Sequence, residues 1–491
     1  MGALFKKLTQ KNHLLAAYRQ VAEKYLDPDS LQFRRFVPGI DGVDLREFED
    51  DIDASIEACR DFLLHGKEFL PQILRLIPKD GKDAYREIYL IALRDKVIQK
   101  AIAILLQPIL ERIYSRTLFS YRRPGYLGQS EALRQVRKFL KAHPEGIHLF
   151  KTDVSNYVDH LDHGILRRQL KDLLPGEPQL LELLDKYIDH PRYRDSQIVY
   201  PSEGVPAGSA LTPALGNLYL SDLDLEMERG GYQYFRYGDD ILLLETDSAR
   251  LIEGRDRILA ILKERGLTCS PAKTYTLEPG QPFDYLGHRF ESGHLQVGSK
   301  AYNNYREWAR RFLKVSKYRN FPRRSLQDRK RLLGRILRDL QRESEGALGP
   351  LGWIRNFPMV SDDRRLRELD RFVKNRIRLC VAGRSGGRNF ERVPEEWFRE
   401  LGYKSLVGAY HRVRHQRALG PYVGWRRFFG SNYQEKLRAP EGRVGRFKRR
   451  LTRWWDFLRS SWNAGTIDDS APNSAADKNG YPESRSGPSE E

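Results

Sequence analysis

The sequence from residue 235 to residue 244 is Phe-Arg-Tyr-Gly-Asp-Asp-Ile-Leu-Leu-Leu. Two apolar runs, residues 234–237 and 241–245, flank a Gly-Asp-Asp turn, and this pattern predicts a tight hairpin of two buried strands. Adjacent carboxylates at the end of an apolar hairpin destabilise a fold unless a cation binds them. Asp239 and Asp240 therefore form a candidate cation site.

A third carboxylate follows another apolar stretch. Residues 149–154 predict a short strand that carries Asp153 near its end. If the two predicted strands are neighbours in one sheet, Asp153 meets Asp239 and Asp240. Carboxylate oxygens suit Mg²⁺ or Mn²⁺, and two such ions roughly 3.5–4 Å apart would serve an in-line phosphoryl transfer. The alternative is an ordinary Gly-Asp turn beside an unrelated aspartate.

Other motifs occur along the chain in the order that reverse transcriptases show. The chain resembles that family over residues 35–380. A set of motifs in the right order is far more specific than one four-residue match. The motifs that carry the resemblance are Gly81-Lys82 with Tyr85-Arg86-Glu87-Ile88, Phe119-Ser-Tyr-Arg-Arg-Pro-Gly-Tyr126 with Glu131-Ala-Leu133, Asp153, Gly204-Val-Pro-Ala-Gly-Ser-Ala-Leu-Thr-Pro213 with Gly216-Asn-Leu-Tyr219, Tyr237-Gly-Asp-Asp240, Gly266-Leu-Thr-Cys-Ser-Pro-Ala-Lys-Thr274, Phe283-Asp-Tyr-Leu-Gly-His288, Gly352-Trp-Ile-Arg-Asn356 and Leu369-Asp-Arg-Phe-Val-Lys-Asn-Arg-Ile-Arg378.

The resemblance implies an α+β fold of the right-hand polymerase type, with fingers, a palm that contains an antiparallel sheet, and a helical thumb. A basic C-terminal helical domain would follow. The expected domains are fingers with an N-terminal helical extension at 1–148, the palm at 149–292, a maturase X-like thumb at 293–385, an RNA-binding or oligomerisation domain at 386–462, and a disordered acidic tail at 463–491.

The resemblance also implies a role for individual residues. Asp153 and Asp239 would each bridge both metal ions, Asp240 would be a weaker or indirect ligand, and the Val154 carbonyl could complete the coordination. Lys273 would protonate or shield pyrophosphate. The remaining expected nucleotide-binding residues are Arg75, Lys82, Arg86, Val158, Ala207 and Gly208. The expected primer grip is Tyr285, Leu286 and Gly287.

Two positions depart from the family pattern. Val158 stands where the family usually carries a Phe or Tyr ring that excludes the ribose 2′-hydroxyl, so discrimination against ribonucleotides is expected to be weaker, unless Tyr157 supplies the bulk. Ala207 replaces the usual glutamine beside the nascent base pair. Both departures favour an unusual substrate preference or a specialised product.

Composition excludes several protein classes. The 491-residue chain has a net charge of +19, three widely separated cysteines and no apolar run long enough for a membrane span. We therefore expect a cytoplasmic protein without a disulfide framework and without a membrane partner. Residues 301–462 carry 41 Lys and Arg against 16 Asp and Glu. This excess indicates a nucleic-acid partner. The interleaved aromatic side chains would stack on bases or pack under the basic face.

The narrower function stays open at this level. Residues after the thumb contain no Cys pair or HNH-like cluster, so we expect no homing endonuclease, and the chain resembles domesticated bacterial reverse transcriptases such as those of antiphage defence. The favoured function is RNA-directed DNA synthesis with two Mg²⁺ ions, on a template in a dedicated non-coding RNA. The expected partners are that RNA, dNTPs, the DNA product and a possible second copy of the chain. The alternatives are a template-restricted or untemplated nucleotidyltransferase that makes repetitive DNA, and an intron maturase or RNA-binding scaffold.

Overall fold

The computed structural model describes residues 2–25, 36–78, 85–122, 127–194, 196–344, 353–357, 359–383 and 386–418. These residues fall into two compact units, one that ends at Pro282 and one that begins at Phe283. Each unit has its own apolar core. No helix in the described ranges is long and apolar enough to cross a membrane. All three cysteines are free thiols.

Helices α1–α11 of the first unit surround two four-stranded sheets. The helices are Ala3–Leu8, Lys11–Glu23, Leu45–Asp50, Ile52–Leu64, Leu93–Ile113, Gln129–Ala142, His163–Leu173, Pro178–Ile188, Thr212–Tyr219, Ser221–Arg229 and Ser248–Glu264. The strands β1–β8 are Gln72–Pro78, Tyr85–Leu90, His148–Asp153, Arg192–Arg194, Gln197–Val199, Gln233–Tyr237, Asp240–Glu245 and Tyr275–Leu277.

The first sheet has the order β2-β1-β4-β5, and the second has the order β6-β7-β3-β8. We call the second the carboxylate sheet, since it carries the three predicted catalytic aspartates. All its strand pairs are antiparallel. Helix α11, whose N-terminus is capped by the Asp247 carboxylate, packs against β3 and β7. Strand β7 lies inside the sheet and is covered by this helix, so its side chains are buried. This burial explains its run of apolar residues.

The second unit starts with a three-stranded meander and continues in helices. Strands β9–β11 are Phe283–Tyr285, His288–Glu291 and His294–Val297. Helices α12–α17 are Ser299–Phe312, Leu326–Ser344, Arg364–Ala382, Asn389–Arg392, Glu395–Glu400 and Leu406–Ala418.

The predicted strands at residues 149–154, 234–237 and 241–245 are confirmed, and the α+β fold class with them. The apolar residues of 283–290 also predict a short strand, but Leu286 and Gly287 both have positive φ and turn the chain back, so the segment forms a hairpin. Residues 419–491, which include most of the predicted C-terminal domain and the whole predicted acidic tail, lie outside the described residues.

Candidate active site

The carboxylate sheet brings the three predicted aspartates to one end. Strands β3 and β7 run antiparallel, and their register places Asp153 directly opposite Asp240. Asp239 lies in the turn before β7, where Gly238 has a φ of 65°. The Val154 N–H donates to the Asp239 carbonyl oxygen at 3.0 Å, which ties the turn to the end of β3. The predicted convergence of the two strands is therefore confirmed.

Burial and mutual repulsion make this end of the sheet electrostatically strained. Burial raises the pKa of Asp239, and the neighbouring Asp153 carboxylate raises it further. Burial also raises the pKa of Asp240, although the Lys151 ammonium opposes that shift. A carboxylate pair of this kind gains stability when a cation binds it.

Two lysines hold two of the carboxylates. The Lys151 ammonium donates to Asp240 Oδ1 at 2.5 Å, and the Lys273 ammonium donates to Asp153 Oδ1 at 2.7 Å. Lys151 is 8% exposed, whereas the Lys273 side chain is more than half exposed. Sequence reasoning missed Lys151, although its position two residues before Asp153 places both side chains on the same face of β3.

The carboxylate oxygens at this end of the sheet are suitable ligands for a hard divalent cation, but few of them are available. Among the described residues, no group of three or more His, Cys, Asp or Glu side chains is arranged to hold a metal ion. Asp240 is engaged by the buried Lys151, and Asp153 Oδ1 by the exposed Lys273. Asp239 and the other oxygen of Asp153 are therefore the carboxylate donors nearest to hand. Two carboxylates with backbone and water oxygens form the kind of site that Mg²⁺ occupies in nucleotide-processing enzymes. Coordination by the Val154 carbonyl stays a prediction.

A buried polar network supports the turn that carries Asp239. Arg236 and Asp224 are both fully buried and form a bidentate pair, with nitrogen–oxygen distances of 2.7 and 2.5 Å. The Arg236 guanidinium also donates to the carbonyl oxygens of Gly238 and Asn217, both at 3.1 Å. The Ser120 hydroxyl accepts from the Gly238 N–H at 2.8 Å. Both backbone groups of Gly238 are therefore fixed from inside the fold.

The predicted triphosphate-binding residues lie around strands β1 and β2. Arg75 is half-buried on β1 opposite Ile88 of β2. Arg86 lies on β2 opposite Ile77, and Lys82 falls outside the described residues. Their contact with a nucleotide stays a prediction.

Tyr157, the alternative source of the bulk that Val158 lacks, is a core residue of the first unit. Tyr157 is 6% exposed, and its hydroxyl donates to the Gly216 carbonyl oxygen at 2.5 Å. Its side chain therefore belongs to the core. Val158 packs at the edge of that core, and its carbonyl oxygen accepts from the Val205 N–H at 2.8 Å. This second bond joins Val158 to the loop that contains Ala207.

The loop over residues 204–212 is held from both ends. Gly204 has a φ of +76°, and a Cβ there would lie 2.3 Å from the Asp159 carbonyl oxygen, so only glycine fits. The Ser209 hydroxyl donates to the buried Gln99 side chain at 2.9 Å. Between these anchors, Ala207 is half-exposed and Gly208 is exposed. The loop thus presents the two predicted nucleotide-binding residues at an accessible surface.

Known proteins contain a domain similar to the one that carries these aspartates. Residues 77–290 match the family model described as reverse transcriptase (RNA-dependent DNA polymerase). The chain therefore contains a reverse transcriptase domain. The matched segment contains the whole carboxylate sheet, and the family is one of enzymes, the RNA-directed DNA polymerases.

Two curated bacterial proteins are similar to this chain. Protein YkfC of Escherichia coli (strain K12) is 25% identical over 291 residues, which cover 51% of this chain and 75% of YkfC. Group II intron-encoded protein LtrA of Lactococcus lactis subsp. cremoris is 25% identical over 183 residues, which cover 36% of this chain and 28% of LtrA.

Two solved structures also share similarity with it. The structure of telomerase from Candida albicans with a TWJ fragment of telomeric RNA has 12% identity and a TM-score of 0.40, covering 75% of this chain and 68% of that one. A partial Cas6-RT-Cas1–Cas2 complex has 22% identity and a TM-score of 0.32, covering 54% of this chain and 42% of that one.

The predicted primer-grip residues form the tip of the β9–β10 hairpin. Tyr285 is buried, and the Leu286 carbonyl oxygen lies 2.9 Å from His288 Nδ1. Gly287 is exposed, and its carbonyl oxygen accepts from the Gly298 N–H at 2.8 Å. Leu286 adopts a φ of 45°, which is unusual for a branched side chain and marks a turn held in place by its surroundings.

The structure also decides between the two interpretations of the aromatic residues in the basic segment. Tyr305, Tyr318, Trp353 and Phe357 are buried in the core of the second unit. Tyr302, Trp308 and Phe312 are partly buried against the same core. These seven rings therefore pack beneath the basic face, as the second interpretation expected.

Proposed function

We propose that the protein is an RNA-directed DNA polymerase that extends a primer by two-metal nucleotidyl transfer. The observation that carries the proposal is the placement of Asp153 opposite Asp240, with Asp239 in the adjoining turn, inside a reverse transcriptase domain. Asp153 and Asp239 would hold two Mg²⁺ ions, which when bound supply activation of the attacking hydroxyl and stabilisation of the leaving oxygen.

Lysine and arginine side chains of the protein would neutralise the negative charge that the metal ions leave on Asp240 and on the triphosphate. Lys151 neutralises Asp240 and leaves the two other carboxylates to face the substrate. Lys273 is exposed enough to leave Asp153 and reach the pyrophosphate, where it would donate a proton or shield the developing charge. Arg75 would contribute a further positive charge at the triphosphate.

Primer extension tests this function directly. The purified protein, given a primed RNA template, Mg²⁺ and all four dNTPs, is expected to extend the primer, because the carboxylate site needs divalent cations for charge neutralisation. Addition of EDTA is expected to reduce incorporation to background, and excess Mg²⁺ is expected to restore it. Extension that is independent of the template, or that needs only one or two dNTPs, would instead support the repetitive-DNA alternative. Ala207 and Val158 are the residues that favour that alternative.

Val158 provides a test of sugar selection. The Val158→Phe variant is expected to incorporate ribonucleotides at least about 10-fold less efficiently relative to deoxyribonucleotides than the parent, because a ring would fill space beside the 2′-carbon. The ratio of kcat/KM for dCTP and CTP measures this. Val158→Ile is the matched control, since it adds a single methylene and no ring. An unchanged ratio in the Phe variant would exclude Val158 from the sugar site.

We further propose that the template lies in a dedicated, structured non-coding RNA and that the role is bacterial antiphage defence. The excess of 25 positive charges over residues 301–462 and the resemblance to domesticated reverse transcriptases support this proposal. Sequencing the RNA that co-purifies with the protein tests the first part, and plaque counts with parent and Asp239→Asn strains test the second. Recovery of an intron RNA would contradict both.

A further inference from the structure

A buried glutamine of the first unit holds the loop over residues 204–212 from inside the fold. Gln99 lies on α5, and its side chain is fully buried. Within the described ranges, this side chain makes one hydrogen bond, which Gln99 Oε1 accepts from the Ser209 hydroxyl at 2.9 Å, and its amide nitrogen has no partner. A buried amide with an unmade hydrogen bond destabilises a fold relative to an apolar side chain of the same size. Stability therefore does not explain why a glutamine occupies this position.

The hydrogen-bond partner of Gln99 closes a tight turn. The Ser209 N–H donates to the carbonyl oxygen of Pro206 at 3.3 Å, so these two residues are the ends of a β-turn with Ala207 and Gly208 at its centre. Gly208 has a φ of +94°, whereas Ala207 is not among the residues with positive φ. A hydrogen-bonded β-turn with positive φ at its third residue alone is of type II. The common type I turn differs by rotation of the peptide between the two central residues, so the turn type decides which way the Ala207–Gly208 peptide faces.

Side chains of α5, α8 and α9 hold the two ends of this turn separately. At the first end, the Thr212 hydroxyl donates to the Pro206 carbonyl oxygen at 2.5 Å. Thr212 therefore accepts the hydrogen bond that joins it to the Tyr187 hydroxyl at 3.1 Å. At the second end, the Ser209 hydroxyl donates to Gln99. Loss of the Gln99 amide would therefore release the second end of the turn and leave the first end anchored.

The centre of the turn is the part that faces solvent. Pro206 and Ser209 are buried, whereas Ala207 is half-exposed and Gly208 is exposed. Apart from the neighbours of Gly208 in the chain, no atom of the described residues lies within 4 Å of a Cβ placed on it, so the space beside the turn is open. The side chain of Ala207 has no polar atom. The polar groups that the centre of the turn offers to a ligand are therefore those of its backbone, and their direction depends on the turn type.

We propose that Gln99 is a positioning residue, which holds the turn in its type II form so that the Ala207–Gly208 peptide faces the incoming nucleotide. The inference rests on the proposed polymerase function and on the nucleotide-binding role predicted for Ala207 and Gly208. Without the bond to Gln99, the Ser209 end of the turn would move, and the exposed peptide would sample other directions. The affinity for a dNTP would fall, while the carboxylates that carry out the chemistry would stay in place.

The test uses three single variants of the full chain. Gln99→Met keeps the length of the side chain and removes the amide, and Ser209→Ala breaks the same hydrogen bond from the side of the turn. Gln135→Met is the matched control, because Gln135 is half-buried on α6 and donates to Glu131 of the same helix. Three properties are measured: kcat and KM for a dNTP on a primed RNA template, hydrogen exchange of the backbone amides over residues 204–212 in the free protein, and the melting temperature.

Gln99→Met is expected to raise KM for the dNTP at least about 10-fold and to lower kcat by no more than about 3-fold, because it weakens nucleotide positioning and leaves the carboxylates in place. The amides of the 204–212 loop should exchange faster, since one end of the turn opens locally. The melting temperature should stay near that of the parent, because the change removes one unpartnered amide nitrogen while it leaves one hydroxyl without its acceptor. Ser209→Ala should also raise KM, and Gln135→Met should match the parent in all three measurements.

Unchanged KM with faster exchange would show that Gln99 holds a loop that does not position the nucleotide, and it would overturn the proposal. A lower melting temperature with unchanged KM would assign Gln99 to stability alone. Failure of the parent to extend the primer would contradict the proposed polymerase function instead. In that case the exchange rates alone would decide whether Gln99 holds the turn, and unchanged rates in Gln99→Met would overturn that part as well.

Discussion

Asp239→Asn is expected to lower the rate of nucleotide incorporation by at least about 10³-fold, because an amide cannot supply the anionic oxygens that divalent cations need. The same change is expected to raise the melting temperature of the metal-free protein. Burial and the Asp153 carboxylate raise the pKa of Asp239, so its ionised form is unfavourable without a cation, and the neutral amide removes that repulsion. Primer extension and thermal unfolding measure the two effects.

Added Mg²⁺ separates this interpretation from simple damage to the fold. Mg²⁺ should raise the melting temperature of the parent by mass action and leave that of Asp239→Asn nearly unchanged. Asp256→Asn, the same chemical change on the exposed face of α11, is the control and should behave like the parent in both assays. If Asp239→Asn still responds to Mg²⁺ as the parent does, Asp239 does not ligate the ion.

Arg236→Met is expected to lower the free energy of unfolding by about 3–5 kcal/mol, because it leaves the fully buried Asp224 without its cation. It should also lower incorporation, since the Gly238 carbonyl oxygen loses the donor that fixes the turn before Asp239. Urea denaturation measures the first effect, and primer extension of the folded variant measures the second.

The double variant Arg236→Met/Asp224→Leu distinguishes charge pairing from positioning. Apolar replacement of both partners should recover most of the lost stability, because no buried charge remains unpaired. Incorporation should stay low, since the donor to Gly238 is still missing. Arg257→Met removes an exposed ion pair with Glu226 and should leave both properties unchanged. Full recovery of incorporation in the double variant would show that Arg236 serves stability alone.

Local sequence was sufficient to predict the strands and the turn that carry the three aspartates. Glycine followed by two aspartates between apolar runs predicted the β6–β7 hairpin, and the apolar stretch at residues 149–154 predicted β3. Pairing of β3 with β7 was a conditional prediction, which the antiparallel register confirmed. Roles in nucleotide binding came from resemblance to a family, and they remain predictions for Arg75, Lys82, Arg86, Val158, Ala207, Gly208 and Lys273.

Residues distant in sequence contributed what local patterns could not predict. Ser120, Asn217, Asp224 and Arg236 meet only because α10 packs against both α9 and β6, and nothing in their local sequence indicates that they share one network. The split of residues 283–290 into a hairpin depends on a positive φ at Leu286, which side-chain periodicity does not record.

The sequence alone determined the three carboxylates, their oxygen-ligand chemistry, the α+β class and the location of the positive charge in residues 301–462. The carboxylates and the charge follow from composition and from the pattern of short segments, and the α+β class follows from the resemblance to a family. Only the tertiary structure decided that Lys151 neutralises Asp240 and that the aromatic rings between residues 302 and 357 pack in or against the core of the second unit. Whether a charge is paired or a ring is covered depends on which distant side chains lie within a few ångströms of it, and chain packing alone sets that distance.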